Sequence, residues 1–133
     1  MINKDTNPDY INAFLDYNIT ILNKSPNTIK EYNYDLIMFL RYIKIIRNDL
    51  NLSEIKQINI NDFSLSEIKK IKLEDIHSFI SYMATELKSK PATRARKIAS
   101  IRALFHYLSQ KAKIITENPA QYLETPKLRQ TNA

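Results

Sequence analysis

The sequence predicts an all-helical domain, a bundle of four long helices with shorter helical segments between them. Three observations support this fold class. The chain of 133 residues contains no glycine, which makes the tight turns of β-hairpins hard to build. Apolar residues recur at intervals of three and four along four stretches, as in helices with one buried face. Three of these stretches begin at a proline, which the first turn of a helix tolerates well.

The first two long helices are predicted from about Pro8 to Leu22 and from Pro26 to about Ile46. Ser25 precedes the second helix and is expected to cap it through its hydroxyl group. Residues 48–61 are polar and irregular, which indicates a loop with room for one short turn. The residues predicted to face inward are Ile11, Phe14, Leu15, Ile19, Leu22, Ile29, Tyr32, Leu36, Phe39, Leu40 and Ile43.

The second half of the chain predicts two long helices and two short ones. Ser64 and Glu67 form a capping-box pattern at the start of a short helix that ends near Lys70. The further predicted helices cover residues 73–88, 91–111 and 118–124. Their inward residues are Ile76, Phe79, Ile80, Met83, Leu87, the stem of Arg94, Ile98, Ile101, Phe105 and Leu108. We therefore expect a flexible N-terminus over residues 1–7, one domain over residues 8–124, and the beginning of a linker over residues 125–133.

The composition argues against several classes of function. Without cysteine the chain has no disulfide, catalytic thiolate or cysteine-based zinc site, and without glycine it has no glycine-rich phosphate loop. His77 and His106 are single histidines on separate predicted helices, and none of the eight tyrosines has a recognisable arginine–histidine constellation beside it. No catalytic residue, metal site or cofactor is predicted. No apolar run suits a membrane span or signal peptide, so the expected location is the cytoplasm, without membrane contact.

The positive charge of the chain is concentrated in one segment. The net charge is +6, and the 26 residues from Lys88 to Lys113 contain eight basic side chains and no acidic one. The rest of the chain has twelve basic and fourteen acidic residues. This asymmetry indicates a polyanionic partner, nucleic acid before membrane. A solvated basic face without a partner is the alternative interpretation.

The fourth long helix carries the best candidates for DNA contact. Its N-terminal half places cationic and hydroxyl side chains beside an apolar stripe, and a duplex admits one such helix into its major groove. Arginine can bind guanine O6 and N7 through two hydrogen bonds, which would add base recognition to phosphate attraction. We predict contacts from Lys90, Thr93, Arg94, Arg96, Lys97 and Ser100.

The start of the second helix offers a matching polar surface. Ser25, Asn27, Thr28 and Lys30 are small or basic, and such groups at a helix N-terminus commonly bind phosphate. Capping is the favoured role for Ser25. Thr28 and Lys30 have no capping role in the pattern and are better candidates for DNA contact.

Four segments resemble, in order and spacing, the core-binding domains of tyrosine recombinases of the Xer and phage-integrase kind. They are FLDYNITILNKSPNTIKEYNYDLIMFLRYI, LEDIHSFISYM, PATRARKIASIRALFHYL and ENPAQYLETPKL. The resemblance covers roughly Tyr10 to Leu128. It implies an orthogonally packed, SAM-like helical bundle that docks on one side of a duplex while a catalytic domain grips the other. The helices equivalent to the second and fourth long ones would lie near the major groove, with contacts from Thr28, Lys30, Arg94, Arg96 and Lys97.

The resemblance also implies which partners and activities to expect. The partners would be double-stranded DNA, the catalytic domain of the same parent chain and other recombinase protomers. The family's catalytic arginines, His-x-x-Arg motif and tyrosine nucleophile would follow ETPKL, so this chain is not expected to cut DNA itself.

The sequence departs from the family in its turns. Glycines common before the second helix and after the fourth are replaced by Asn23-Lys24 and Ala112-Lys113, and Lys72 replaces a threonine cap. These departures leave the loop geometry open. A helical protein-interaction module is the alternative function, and an enzyme in its own right comes third.

Overall fold

The structure is a computed structural model that describes residues 4–127, and these residues form helices and turns without a strand. The all-helical class and the four long helices are therefore confirmed. The α-helices are α1 (Asp9–Thr20), α2 (Pro26–Arg47), α3 (Leu65–Ile68), α4 (Leu73–Thr85) and α5 (Pro91–His106). Two 3₁₀-helices span Lys4–Thr6 and Leu52–Gln57, and a π-helix, Tyr107–Lys111, continues α5 to the predicted end of the fourth long helix.

The core is built around α2, which packs against α1, α4 and α5. Each long helix contributes one phenylalanine that is at most 1% exposed: Phe14, Phe39, Phe79 and Phe105. The Phe39 ring lies between two of the others, with centroids 5.3 Å from Phe79 and 6.4 Å from Phe105. Both pairs are edge-to-face, which aromatic quadrupoles favour. The packing places one face of α2 directly against the N-terminal half of α5.

Two long helices end earlier than predicted, and their last apolar residues are exposed. α1 ends at Thr20 and α4 at Thr85. Ile19, Leu22 and Leu87, all predicted to face inward, are 44%, 46% and 46% exposed, so these predictions are wrong. At each end the helix passes into a turn, and these final apolar side chains remain largely accessible to solvent.

The turns that end three helical segments share one geometry, built without glycine. Asn23, Lys88 and Lys113 each have a φ between 50° and 54°, in the left-handed region. In each turn the residue before donates its N–H to the carbonyl five positions back, and the residue after donates to the carbonyl six positions back. These bonds satisfy carbonyl groups that the ends of helices leave free. Two of these turns, at Asn23 and Lys113, are those for which the resemblance implies a glycine.

The predicted loop over residues 48–61 contains a 3₁₀-helix and is held against α2. Ile55 and Ile60 are buried, and the Arg41 side chain donates from Nε to the Ile58 carbonyl at 2.8 Å. The short helix that follows, α3, has only four residues. Its N-cap Ser64 accepts the Glu67 N–H at 3.4 Å, as predicted.

The second half of the predicted capping box is replaced by a contact with α2. The Glu67 carboxylate accepts a hydrogen bond from Arg47 Nη1 at 2.8 Å, and the same nitrogen donates to the Glu67 carbonyl at 2.7 Å. The acid that the sequence assigned to a local cap therefore joins α3 to the end of α2.

The prediction of a short helix over residues 118–124 is wrong, since the chain there makes consecutive turns. The Asn118 side chain accepts the Ala120 N–H at 2.8 Å, a local bond that competes with helix formation. Ala120 and Leu123 are nevertheless buried, so the segment still packs on the bundle.

Hydrogen bonds link residues on the two sides of each predicted domain boundary. Asn7, assigned to the flexible terminus, is 2% exposed and donates from Nδ2 to Asn33 Oδ1 at 2.9 Å. Thr125 Oγ1 accepts a hydrogen bond from Arg102 Nη1 at 2.7 Å. The rest of the terminal predictions, over residues 1–3 and 128–133, lies outside the described residues. Within residues 4–127 no helix is long and apolar enough to cross a membrane.

Candidate nucleic-acid interface

The N-terminal turn of α5 presents basic side chains in two different environments. Lys90, which precedes Pro91, is exposed and has an extended backbone. Arg94 is half-buried, and its Nη1 donates to the carbonyl of Ser89 in the turn after α4. Its guanidinium thus braces the connection between α4 and α5. Thr93 is half-buried.

The next turn of α5 is joined to α2 through a buried carboxylate. Asp35, in the middle of α2, is fully buried. Its Oδ1 accepts hydrogen bonds from Arg96 Nη2 at 3.1 Å and Lys97 Nζ at 2.8 Å, and its Oδ2 accepts one from Ser100 Oγ at 2.7 Å. A carboxylate removed from water needs such partners to remain ionised at acceptable cost. We call these four residues the Asp35 cluster.

Two predicted DNA-binding residues lie beneath the surface. Lys97 is 6% exposed and Ser100 is 1% exposed, so neither side chain has the accessibility that the predicted contact with DNA would require. Both are directed to Asp35, because a buried acid on α2 requires polar partners on the facing helix. The Arg96 side chain, by contrast, is 43% exposed.

Sequence reasoning overlooked Asp35, although the sequence contained a signal. Asp35 lies three residues after Tyr32 and four before Phe39, inside the apolar stripe of α2. An acid at such a position requires partners from a neighbouring helix. Lys97 and Ser100 follow each other at the spacing of one helical turn and could have been recognised as those partners.

The start of α2 is capped as predicted, but Thr28 takes part in the cap. Ser25 Oγ accepts the Thr28 N–H at 3.2 Å and donates to Thr28 Oγ1 at 3.0 Å. The assumption that Thr28 has no capping role is therefore wrong. Lys30 takes no part in the hydrogen bonds between Ser25 and Thr28, and it is exposed.

A groove of about 530 Å³ runs along the exposed side of α2 and includes three basic residues. Its lining consists of Lys30, Asn33, Tyr34, Ile37, Met38, Arg41 and Lys56. Tyr34 is 59% exposed, and its ring centroid lies 4.7 Å from Lys97 Nζ. The ring shields the buried ammonium from solvent and stabilises it by a cation–π interaction. Arg41 and Lys56 were not predicted at this surface, although Lys30, Tyr34 and Arg41 recur at helical spacing.

Within the described residues, no group of three or more histidine, cysteine, aspartate or glutamate side chains could hold a metal ion. The surface formed by α2 and α5 offers positive charge, hydrogen-bond donors and one exposed aromatic ring, which are groups that bind a polyanion.

Comparison with known proteins gives close sequence relatives of one class. The chain is 41% identical over 122 residues to tyrosine recombinase XerC of Caldanaerobacter subterraneus subsp. tengcongensis, covering 91% of this chain and 35% of that protein. It is 33% identical to tyrosine recombinase XerD of Listeria monocytogenes, covering 92% of this chain and 35% of that protein. A tyrosine recombinase of Pseudothermotoga lettingae is 32% identical over 87% of this chain and 34% of its own length.

These relatives are all recombinases, and the match extends over nearly the whole of this chain. The chain belongs to the tyrosine recombinase family, with relatives of the XerC and XerD type, and the predicted resemblance is confirmed. It spans about a third of the length of these relatives. No family model and no solved structure matches the chain.

Proposed function

We propose that this chain binds duplex DNA as the core-binding module of a site-specific tyrosine recombinase, forming one half of a clamp around DNA. The observation that carries the proposal is its relation to XerC and XerD recombinases over 91–92% of its length. The 26-residue segment from Lys88 to Lys113, which contains eight basic residues and no acidic one, supports the proposal independently. The proposed role is in DNA recombination or integration, in the cytoplasm.

The exposed residues of α2 and α5 are the proposed contacts. Lys30, Lys90 and Arg96 are accessible and cationic, which suits phosphate binding. Thr28, Thr93 and Arg94 are half-buried and would contribute at the edge of the surface. Lys97 and Ser100 support this surface from below.

The proposed partners beyond DNA are the catalytic domain of the parent chain and other recombinase protomers. We propose that the 133-residue chain forms no covalent intermediate with DNA, because its sequence contains no His-x-x-Arg motif of the kind that the resemblance associates with that chemistry. Incubation with nicked and intact duplexes, followed by a denaturing gel, tests this. A tyrosine–DNA adduct would contradict it.

The alternative function is a helical protein-interaction module without DNA affinity. Such a module would not require the acid-free basic segment. Binding to duplex that weakens steeply with salt distinguishes the two, since each phosphate contact releases condensed counterions.

The test is a salt titration of a short labelled duplex followed by fluorescence anisotropy. We expect weak binding, in the range of ~10⁻⁴–10⁻⁶ M near physiological salt, because the clamp would be half complete. Arg96→Ala, Lys30→Ala and Lys90→Ala should each weaken binding and reduce the log–log salt slope by about 0.9. Lys69→Ala, in the charge-balanced part of the chain, is the matched control. Equal losses at all four positions would contradict this interface, and so would unchanged binding by the three variants of α2 and α5.

A further inference from the structure

Arg96 differs from the other exposed cations of the proposed interface in being held from beneath. One of its terminal nitrogens is 3.1 Å from Asp35 Oδ1, while 43% of the side chain remains exposed. A guanidinium has five N–H donors in a rigid plane. One of them is used on the buried side, so others remain for a ligand on the exposed side.

The charges of the Asp35 cluster leave Arg96 electrostatically available. Lys97 Nζ lies closer to the Asp35 carboxylate than Arg96 does, at 2.8 Å, and its side chain is only 8% exposed. Lys97 therefore serves as the internal counter-ion of Asp35. The cluster contains two positive charges and one negative, and its surplus positive charge reaches the surface only at Arg96.

We propose that Asp35 is a positioning residue, which fixes the Arg96 guanidinium for contact with DNA while Lys97 neutralises the carboxylate. This inference rests on the proposed function and specifies how one contact is made. An unrestrained arginine loses much rotamer freedom on binding, whereas one held by a carboxylate has already lost part of it. A fixed plane also suits the two parallel hydrogen bonds by which arginine recognises guanine.

Neighbouring groups make the geometry rigid. Ser100 holds the second carboxylate oxygen at 2.7 Å, which restricts rotation of the Asp35 side chain. Tyr34 covers Lys97, so water does not reach the ion pair from that side. The cluster also joins α2 to α5, so the positions of Lys30 and Arg96 are fixed relative to each other.

The decisive variant removes the carboxylate without changing the net charge of the protein. Asp35→Leu combined with Lys97→Met replaces the buried ion pair by apolar side chains of similar shape, a change that folded proteins often tolerate. Ser100 keeps a partner, because its hydroxyl also donates to the Arg96 carbonyl at 3.3 Å. Because the net charge is unchanged, it cannot explain any loss of affinity for a labelled duplex.

The experiment is a cycle in which this double change is made with Arg96 present and with Arg96→Ala. With Arg96 present, we expect the dissociation constant for the duplex to rise roughly 2- to 12-fold, the range for immobilising one flexible side chain on binding. With Arg96→Ala, the double change should have no further effect. A purely structural role of the pair would weaken binding equally in both backgrounds, which would overturn the proposal.

Two controls keep the result interpretable. Circular dichroism and thermal unfolding establish that each variant is folded. If the double variant does not fold, Ser100→Ala removes one hydrogen bond to Asp35 at constant charge, and a weaker version of the same Arg96-dependent loss is expected. If the Ser100→Ala protein binds the duplex as tightly as the wild type, Asp35 does not position Arg96.

The outcomes also separate this inference from the proposed function. If Arg96→Ala leaves salt-dependent duplex binding unchanged, the interface itself is wrong. If Arg96→Ala weakens binding but the double change does not, the interface stands and Asp35 has no positioning role.

Discussion

Lys97 donates a hydrogen bond from Nζ to Oδ1 of Asp35 at 2.8 Å, linking α5 to α2 inside the bundle. The adjacent residue Arg96 contacts the same oxygen but remains 43% exposed. Two neighbouring cations in one basic segment thus have different roles. Lys97 belongs to the packing of the domain, and Arg96 belongs to its surface.

The first prediction is that Lys97→Ala destabilises the domain much more than Arg96→Ala does. Removing Lys97 leaves a buried carboxylate without its closest counter-ion, which typically costs about 3–5 kcal/mol. Removing Arg96 breaks a partly exposed pair, which contributes at most about 1 kcal/mol. Urea unfolding followed by circular dichroism measures both free energies.

Lys97→Met is the matched control for this prediction, because it removes the charge and keeps most of the buried stem. It should destabilise nearly as much as Lys97→Ala if the ion pair is responsible. A Lys97→Ala protein within about 0.5 kcal/mol of the wild type would show that Asp35 does not depend on Lys97.

The sequence pattern was sufficient to predict the four long helices and the residues at their centres, such as Phe39 and Ile101. Helical periodicity predicts which positions can face a core, but it does not show where neighbouring helices end. Ile19 and Leu22 were therefore predicted inward and lie exposed. Lys97 and Ser100 were predicted as DNA contacts because a helical wheel contains no information about the facing helix. The position of Asp35 inside the apolar stripe of α2 indicated that it needs polar partners, and the packing of α2 against α5 identifies Lys97 and Ser100 as those partners.

The second prediction concerns the cap of α2. Ser25→Ala should lower the free energy of unfolding by about 1 kcal/mol, since the Thr28 N–H would lose its acceptor at the helix start. Ser25→Asp, which retains a capping oxygen, should remain close to the wild type. Urea unfolding of the three proteins tests this, and equal stability of all three would show that the cap contributes nothing.

The third prediction is a loss of stability at alkaline pH that depends on Tyr10. Burial raises the pKa of the Tyr10 hydroxyl above its usual value of about 10, and the hydroxyl donates to the Phe63 carbonyl at 2.8 Å. The folded state therefore holds this proton more tightly than the unfolded chain. Unfolding releases the proton once the pH exceeds about 10. The contribution of the protonated Tyr10 hydroxyl to the free energy of unfolding is therefore fully present below that pH and is lost as the pH rises further.

Tyr10→Phe isolates this contribution, because phenylalanine keeps the ring and has no proton to lose. Near neutral pH the wild type should be the more stable of the two, and the difference should shrink as the pH rises above about 10. Some decline should remain in the variant, since burial also raises the pKa of Tyr32 and Tyr82. Parallel stability curves for the two proteins would exclude Tyr10 as the source.

The last prediction is that Lys88→Gly stabilises the domain. Lys88 is exposed and has a φ of 50°, a conformation that is costly for a residue with a Cβ atom and open to glycine. After the entropy cost of glycine in the unfolded chain, a net gain of about 0.5–1 kcal/mol is expected. Lys88→Ala loses the same charge but keeps the Cβ atom, so it should give no gain in stability.

Asn23→Gly, at a φ of 54°, should gain less stability than Lys88→Gly, because asparagine tolerates the left-handed region better than lysine. Ala99→Gly, at an exposed position inside α5, should instead lose about 1 kcal/mol. Thermal and urea unfolding of these four variants measure the differences, and a Lys88→Gly protein no more stable than Lys88→Ala would show that the turn is not strained.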